Sequence, residues 1–310
     1  MTGAFSDALT ERPSVAAPSA QSHAVPPRLR RIFCVGMRRG GSTLQFQLAR
    51  RLTESAFGST RTVLVTPETV TRRLAECDAE SEMKSETKTE ADCVLLKCHR
   101  FLPEAAALAA DGRATLLYVY RDIRDVVASI VRKYDAPEFA YVHGGLRSLL
   151  DENRQWESTS GIYIARYESM TADLTGEAQR LSGHLGLPLA DGEAERIAAD
   201  LSPARQRERI AEGRSRVGEG QNRYDPETLM HANHVRADGE ASFRTLSPWT
   251  VAALEDQAAD WLTARGYDLS QPVWRRRLAA AGFALRGRLS RLRRALSPPQ
   301  SSDLEAALPD

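Results

Sequence analysis

The chain alternates short apolar runs with longer stretches in which apolar residues recur every three or four positions. Arg31-Ile32-Phe33-Cys34-Val35-Gly36 is a compact apolar run closing on glycine, and Leu44, Leu48 and Leu52 then follow at helical spacing. Strand, turn and helix recur in that order. Thr62 to Thr66 is strand-like, and Glu76 to Asp92 is an acidic polar stretch that approaches low complexity from Glu80 to Glu90. Cys93-Val94-Leu95-Leu96-Lys97-Cys98 is apolar and nearly unbroken, and a helix over Pro103 to Ala110 follows it. Thr115-Leu116-Leu117-Tyr118-Val119-Tyr120 leads directly into Asp122 to Tyr134, where Ile123, Val126, Val127, Ile130 and Val131 share one helical face. A further strand over Ile162 to Tyr167 precedes a mainly helical second half. Unbroken apolar strands require burial on both faces, and strand–helix alternation implies right-handed crossovers. The predicted fold class is therefore α/β, a three-layer parallel sheet with helices on both faces and a mainly helical C-terminal half. Such sheets bind ligands at the carboxyl ends of their strands, so the chemistry is expected just after each strand.

Composition sharpens this picture. Of 310 residues, 42% are hydrophobic, enough for a substantial core. Residues 1–28 carry Pro13, Pro18, Pro26 and Pro27 and have neither a basic start nor an apolar run; they read as a disordered leader on a cytoplasmic protein. Lys plus Arg (42) nearly cancels Asp plus Glu (41), so overall charge gives no reason to expect nucleic-acid binding, and any anion site must be local. The four cysteines, Cys34, Cys77, Cys93 and Cys98, form no CxxC pair and read as reduced core thiols.

The first strand-to-helix turn carries the strongest chemical signal. Gly36-Met37-Arg38-Arg39-Gly40-Gly41-Ser42-Thr43 follows the phosphate-loop pattern G-x-x-x-x-G-K-S/T, which makes the fold P-loop NTPase-like, but Ser42 stands at the lysine position. A glycine-rich loop entering a helix offers backbone N–H groups and a positive dipole end to an anion. Without the loop lysine that holds β- and γ-phosphates, and with two arginines upstream, the loop suits an anion other than a nucleoside triphosphate. At the next strand end, Lys97 and His99 lie two residues apart and set a cation and a base on one pocket edge. Beyond the following strand, Arg121-Asp122-Ile123-Arg124-Asp125 and Ser129 make a second candidate anion site. Each has a structural alternative: Arg121 pairing with Asp125, a satisfied buried His99, or Ser129 bonded within its own helix.

Taken together these segments resemble the sulfotransferase family. That family has a K/R-x-G-S/T-S/T loop after the first strand and an R-D/N-x-x-D-x-x-x-S pattern after a later one. Here they read Arg39-Gly40-Gly41-Ser42-Thr43 and Arg121 through Ser129. Lys97-Cys98-His99 is similar to the family's K-T-H segment and Tyr167-Glu168 to its adenine-side Tyr-Glu. Arg236 through Phe243-Arg244 is similar to its C-terminal R-K-G…W-K region. The sequence departs from the pattern at Arg38 (usually proline), Leu44 (often tryptophan) and Ala237-Asp238 (usually Lys-Gly). The resemblance implies 3′-phosphoadenosine 5′-phosphosulfate as co-substrate and metal-free in-line transfer to a hydroxyl or amine. It also implies roles. Arg38, Arg39, Gly40, Gly41, Ser42, Thr43 and Lys97 would serve the 5′ side, Arg121, Ser129 and Arg236 the 3′-phosphate, and Tyr167 the adenine, with His99 as base. A small-molecule, carbohydrate or lipid-linked acceptor is expected, framed by variable loops at Glu76 to Asp92 and Phe139 to Trp156. The alternatives are a P-loop-like nucleotide kinase, which should carry the missing loop lysine, and a non-catalytic adenosine bisphosphate-binding protein.

After the domain read over residues 29–270, Trp274, Leu278, Ala281, Leu285, Leu289, Leu292 and Leu296 form a stripe on a basic amphipathic helix over residues 271–297. A disordered tail is read over 298–310. Eight of the 42 basic residues lie between Gln271 and Ser297 with no acidic residue among them, leaving 34 basic against 41 acidic elsewhere. The stripe either packs on the domain or gives the protein a peripheral membrane contact.

Overall fold

The computed structural model describes residues 29–85, 92–217 and 242–296. Five strands, β1 (Leu29–Gly36), β2 (Arg61–Leu64), β3 (Asp92–Lys97), β4 (Thr115–Tyr120) and β5 (Tyr163–Arg166), form one parallel sheet in the order β2-β3-β1-β4-β5. The strand feeding the glycine-rich turn is thus central, with Phe33 opposite Leu96 on one side and Leu116 on the other.

The period-two alternation of β1 divides the core. Phe33 and Val35 face one layer with Leu96, Leu116 and Tyr118, whereas Ile32 and Cys34 face the other with Leu95 and Leu117. The second layer is built from α1 (Ser42–Phe57), α8 (Leu174–Leu185) and α9 (Glu193–Asp200), which contribute Phe46, Leu52, Leu181 and Ile197. The first collects α2 (Val70–Ser85), α3 (Pro103–Ala110), α4 (Ile123–Tyr134), α6 (Leu146–Glu157) and α11 (Pro248–Ala264). Short helices α5 (Glu138–Ala140) and α7 (Tyr167–Ala172), α10 (Pro203–Val217) and α12 (Val273–Leu296) complete the set; a π-helical turn spans Tyr141–Gly145 and a 3₁₀ turn Phe243–Thr245. All four cysteines are buried and none is in a disulfide, in line with the reading as reduced core thiols.

Two sequence expectations are revised and one open alternative is narrowed. The stretch beginning at Glu76 is not a loop as far as Ser85: α2 runs through it, with Val70, Leu74 and Cys77 forming an inward face while Arg73 pairs with Glu76 on the outside. The segment Phe139 to Trp156 is helical through α5, the π turn and α6, with Leu146, Leu150 and Trp156 turned into the core. On α12 the stripe does not pack on the domain as far as Leu289. Leu278, Leu285 and Leu289 are exposed, and Ala279 and Phe283 make the inward contacts instead.

Local sequence explains the helix ends nearest the site. Asp122 caps α4 by accepting from the Arg124 amide at 2.9 Å, leaving Arg121 as the last residue before the helix. Ser247 caps α11 ahead of Pro248 in the first turn.

Candidate active site

Beyond Gly36 the chain turns sharply. The Met37 amide donates to the Val119 carbonyl (3.1 Å) and the Gly40 amide to the Met37 carbonyl (2.8 Å). Two successive turns need left-handed backbone at Arg39 (φ 67°) and Gly41 (φ 98°). For a non-glycine residue such as Arg39 this conformation is strained, which is common where a side chain must be aimed at a ligand. Gly41 is required twice over, since a Cβ there would also collide with the Tyr167 ring. No side chain caps α1 and no acidic residue occupies its first turn, so its positive dipole end is left for an anion.

Cations converge on this loop from three strand ends. Lys97, buried at the end of β3, donates from Nζ to Thr43 Oγ1 at 2.7 Å and lies 5.5 Å from the centre of the Phe46 ring. Burial, and then the Arg39 charge, lower its pKa to about 7. Arg39 donates from Nε to Ser129 Oγ at 3.0 Å, so the loop after β1 is joined directly to α4. Ser129 therefore serves another element rather than its own helix. Arg121 is buried at the end of β4, stacks 4.8 Å over the Tyr167 ring and meets Asp125 at 3.3 Å. Tyr167, just after β5, is partly buried: it packs on the small cluster of Val119, Ala165 and Met170 and lies between Gly41 and Arg121.

His99 stands on the same edge and is partly exposed. Its Nδ1 lies 3.3 Å from the Gly36 carbonyl. A carbonyl only accepts, so Nδ1 carries the proton and Nε2 keeps the lone pair. Burial, then the Lys97 charge, lower the pKa of His99 to about 3, with the Gly36 hydrogen bond opposing, so the ring is neutral and Nε2 can accept a proton. Arg38 lies near enough to His99, Tyr141 and Glu152 for its charge to act on all three. Arg236 lies outside the described residues.

A family model described as a sulfotransferase domain matches residues 29–231. The chain belongs to the sulfotransferase domain family. Among solved structures, this sulfotransferase is similar to mouse SULT7A1 complexed with PAP, at 13% identity and a TM-score of 0.52, covering 76% of this chain and 85% of that one. It is also similar to retinol dehydratase in complex with retinol and PAP, at 16% identity and a TM-score of 0.52, covering 80% and 84%. At such identities the likeness establishes the fold. No curated protein sequence matches the chain.

Sequence reasoning missed the shell that holds the sulfotransferase loop elements together. Arg124 is clamped between Asp122 (2.7 Å) and Glu255 (2.6 Å), donates to the Asp268 carbonyl (2.8 Å) and covers the Phe243 ring at 4.2 Å. Glu255, fully buried, also accepts from the amides of Ser270 and Gln271, both at 2.8 Å. Glu168 accepts from the Asp122 amide (2.9 Å) and from the Tyr267 hydroxyl (2.9 Å), tying β4 to α7. Asp125 accepts from the Phe243 amide at 2.7 Å while holding Arg121. Only the density of charge in Arg121-Asp122-Ile123-Arg124-Asp125 hinted at such a network.

A cleft of about 850 Å³ is lined among others by Pro67, Arg100 (the residue after His99), Phe101, Arg147, Glu152 and Phe283. Burial raises the pKa of Glu152, against the opposing charges of Arg100 and Arg38. The Phe139 to Trp156 segment contributes much of this lining, whereas no described residue from Glu76 onward in α2 does. No sequence pattern could have marked the cleft, because its walls come from five separate stretches of chain.

Proposed function

We propose that this enzyme moves a sulfonyl group from 3′-phosphoadenosine 5′-phosphosulfate to a hydroxyl or amine of an acceptor seated in the cleft, with His99 as general base. The observation that carries the reading is the Arg39–Ser129 hydrogen bond, which makes the two anion-binding segments one continuous site beside an uncapped helix end. The residues fit a polyanion: three cationic side chains, from the loop, β3 and β4, meet a glycine turn whose conformation excludes a side chain at Gly41. Both structural relatives were determined with PAP, the bisphosphate such a donor leaves behind.

In this reading Lys97, Arg39 and the loop of Gly40, Gly41, Ser42 and Thr43 hold the 5′ side. Arg121 and Ser129 hold the 3′-phosphate, with Arg236 joining them, and Tyr167 packs on the adenine. The donor supplies an activated sulfonyl group, whose bond to the 5′-phosphate oxygen breaks as the acceptor oxygen or nitrogen bonds to sulfur. Arg39 and Lys97 neutralise negative charge that grows on the departing phosphate, a task of alignment and electrostatics rather than covalent chemistry. His99 Nε2 takes the acceptor proton, while the Gly36 carbonyl keeps the ring in the required tautomer.

Calorimetric titration of adenosine 3′,5′-bisphosphate in EDTA tests the donor site, with Arg121→Ala and ATP as controls. Micromolar binding of the bisphosphate, weak binding of ATP and loss in the variant are expected. Preference for ATP, or binding only after magnesium is added, would overturn the assignment in favour of a kinase. Tight bisphosphate binding with no turnover on any hydroxyl or amine acceptor would favour the binding protein.

A further inference from the structure

Helix α12 has two dissimilar faces. Its inner face packs Ala279 and Phe283 on the domain and lends Ala280, Phe283 and Ala284 to the cleft. Its outer face leaves Trp274, Leu278, Leu285 and Leu289 each 52–59% exposed, four of the nine large apolar side chains that the described residues expose to solvent. At about 100° per residue, Trp274, Leu278, Leu285 and Leu289 fall within one narrow stripe. Arg275 and Arg286 lie roughly 60–100° to one side of it, and Arg277 and Arg288 the same distance to the other. Arg275 lies over the Trp274 ring, 5.3 Å from its centre, with its charge at the edge of the apolar surface.

We propose that this face of α12 docks on an anionic lipid surface, with the leucines and Trp274 entering the headgroup–acyl boundary and the flanking arginines meeting lipid phosphates. Charge complementarity selects this occupant. A second copy of the helix would set arginines against arginines with no carboxylate on α12 to answer them, whereas an anionic bilayer satisfies the stripe and both its flanks. The helix lies on the membrane and does not cross it: among the described residues no helix is long and apolar enough to span a bilayer. Because the opposite face of α12 walls the cleft, docking would bring the cleft within about one helix diameter, some 10 Å, of lipid headgroups. The proposal rests on the geometry of α12 alone and does not depend on the sulfonyl-transfer reading.

The test is flotation of the full chain with vesicles of phosphatidylcholine, with and without phosphatidylserine. Wild type is compared with Leu278→Glu/Leu285→Glu and with Arg277→Glu/Arg288→Glu. All four positions point outward, so melting curves should match wild type. Wild type should partition onto the phosphatidylserine vesicles at least about ten-fold better than onto phosphatidylcholine alone, and each double variant should lose at least about ten-fold. The idea is overturned if wild type ignores phosphatidylserine, or if the leucine variant binds undiminished. A wild type that stays off vesicles but forms a dimer, which the leucine variant dissolves, would overturn it too by making the stripe a protein interface.

Discussion

Lys97 sits almost wholly out of solvent, beside an arginine, with a threonine hydroxyl as its hydrogen-bond partner. If Lys97 contacts the donor as proposed, its pKa of about 7 makes donor binding a proton-linked event, because an anion beside Nζ restores the ordinary lysine range. At pH 8 binding of the bisphosphate should therefore take up roughly 0.9 proton, read from calorimetry in buffers of different ionisation enthalpy, and Lys97→Met should abolish the uptake. Linkage fixes the stability effect as well. The unfolded chain binds more protons than the folded one between about pH 7 and 10.5, so the contribution of Lys97 to stability rises with pH across that window. His99 is lowered too, so its neutral form persists into acid: the acid limb of turnover at saturating donor should have its midpoint below pH 6.5. A midpoint above 6.5 would contradict the assignment. His99→Ala should reduce turnover by about 100-fold or more and leave bisphosphate affinity nearly unchanged; equal losses of both would assign His99 to binding instead.

At the scale of elements, the turn between β1 and α1 is held from outside. A methyl group at Gly41 meets both a left-handed backbone and the Tyr167 ring, so Gly41→Ala should lower stability by about 1–3 kcal/mol and abolish measurable bisphosphate binding. The Arg124–Glu255 pair is buried on both sides, with Glu255 also bonded to the chain after α11. Glu255→Ala should cost about 3–5 kcal/mol, seen as a lower midpoint of urea unfolding with an unchanged slope. How legible these elements were follows from their physics. The glycine-rich turn, the strand-end cations and the unbroken apolar strands are local signals, and β4 and α3 were read from the sequence to the residue. The clamp on Arg124, the latch at Glu168 and the double use of Asp125 join residues up to 144 positions apart, and no local periodicity encodes such pairings. The α12 stripe was visible as a stripe, but hydrophobic spacing cannot tell which face a domain will choose. Small residues, Ala279 and Ala280 among them, let the helix approach closely on the other side.

Across the whole molecule, the site draws on the ends of β1, β3, β4 and β5, so an occupied donor site braces most of the sheet. At a hundred times its Kd the bisphosphate should add about 2.7 kcal/mol to stability, measured as a rise in Tm that Arg121→Ala removes. The central place of β1 also bears on how the chain is made. Its neighbours are β3 and β4, so the central strand, with its apolar run from Ile32 to Val35, leaves the ribosome before the other four and waits for partners that are not complete until Tyr120. At roughly 5–20 residues per second that delay is of the order of ten seconds, long compared with the collapse of a small chain. Nascent chains shorter than this carry a sticky, unpaired strand, which makes synthesis, more than the finished fold, the stage at which this enzyme most needs chaperones.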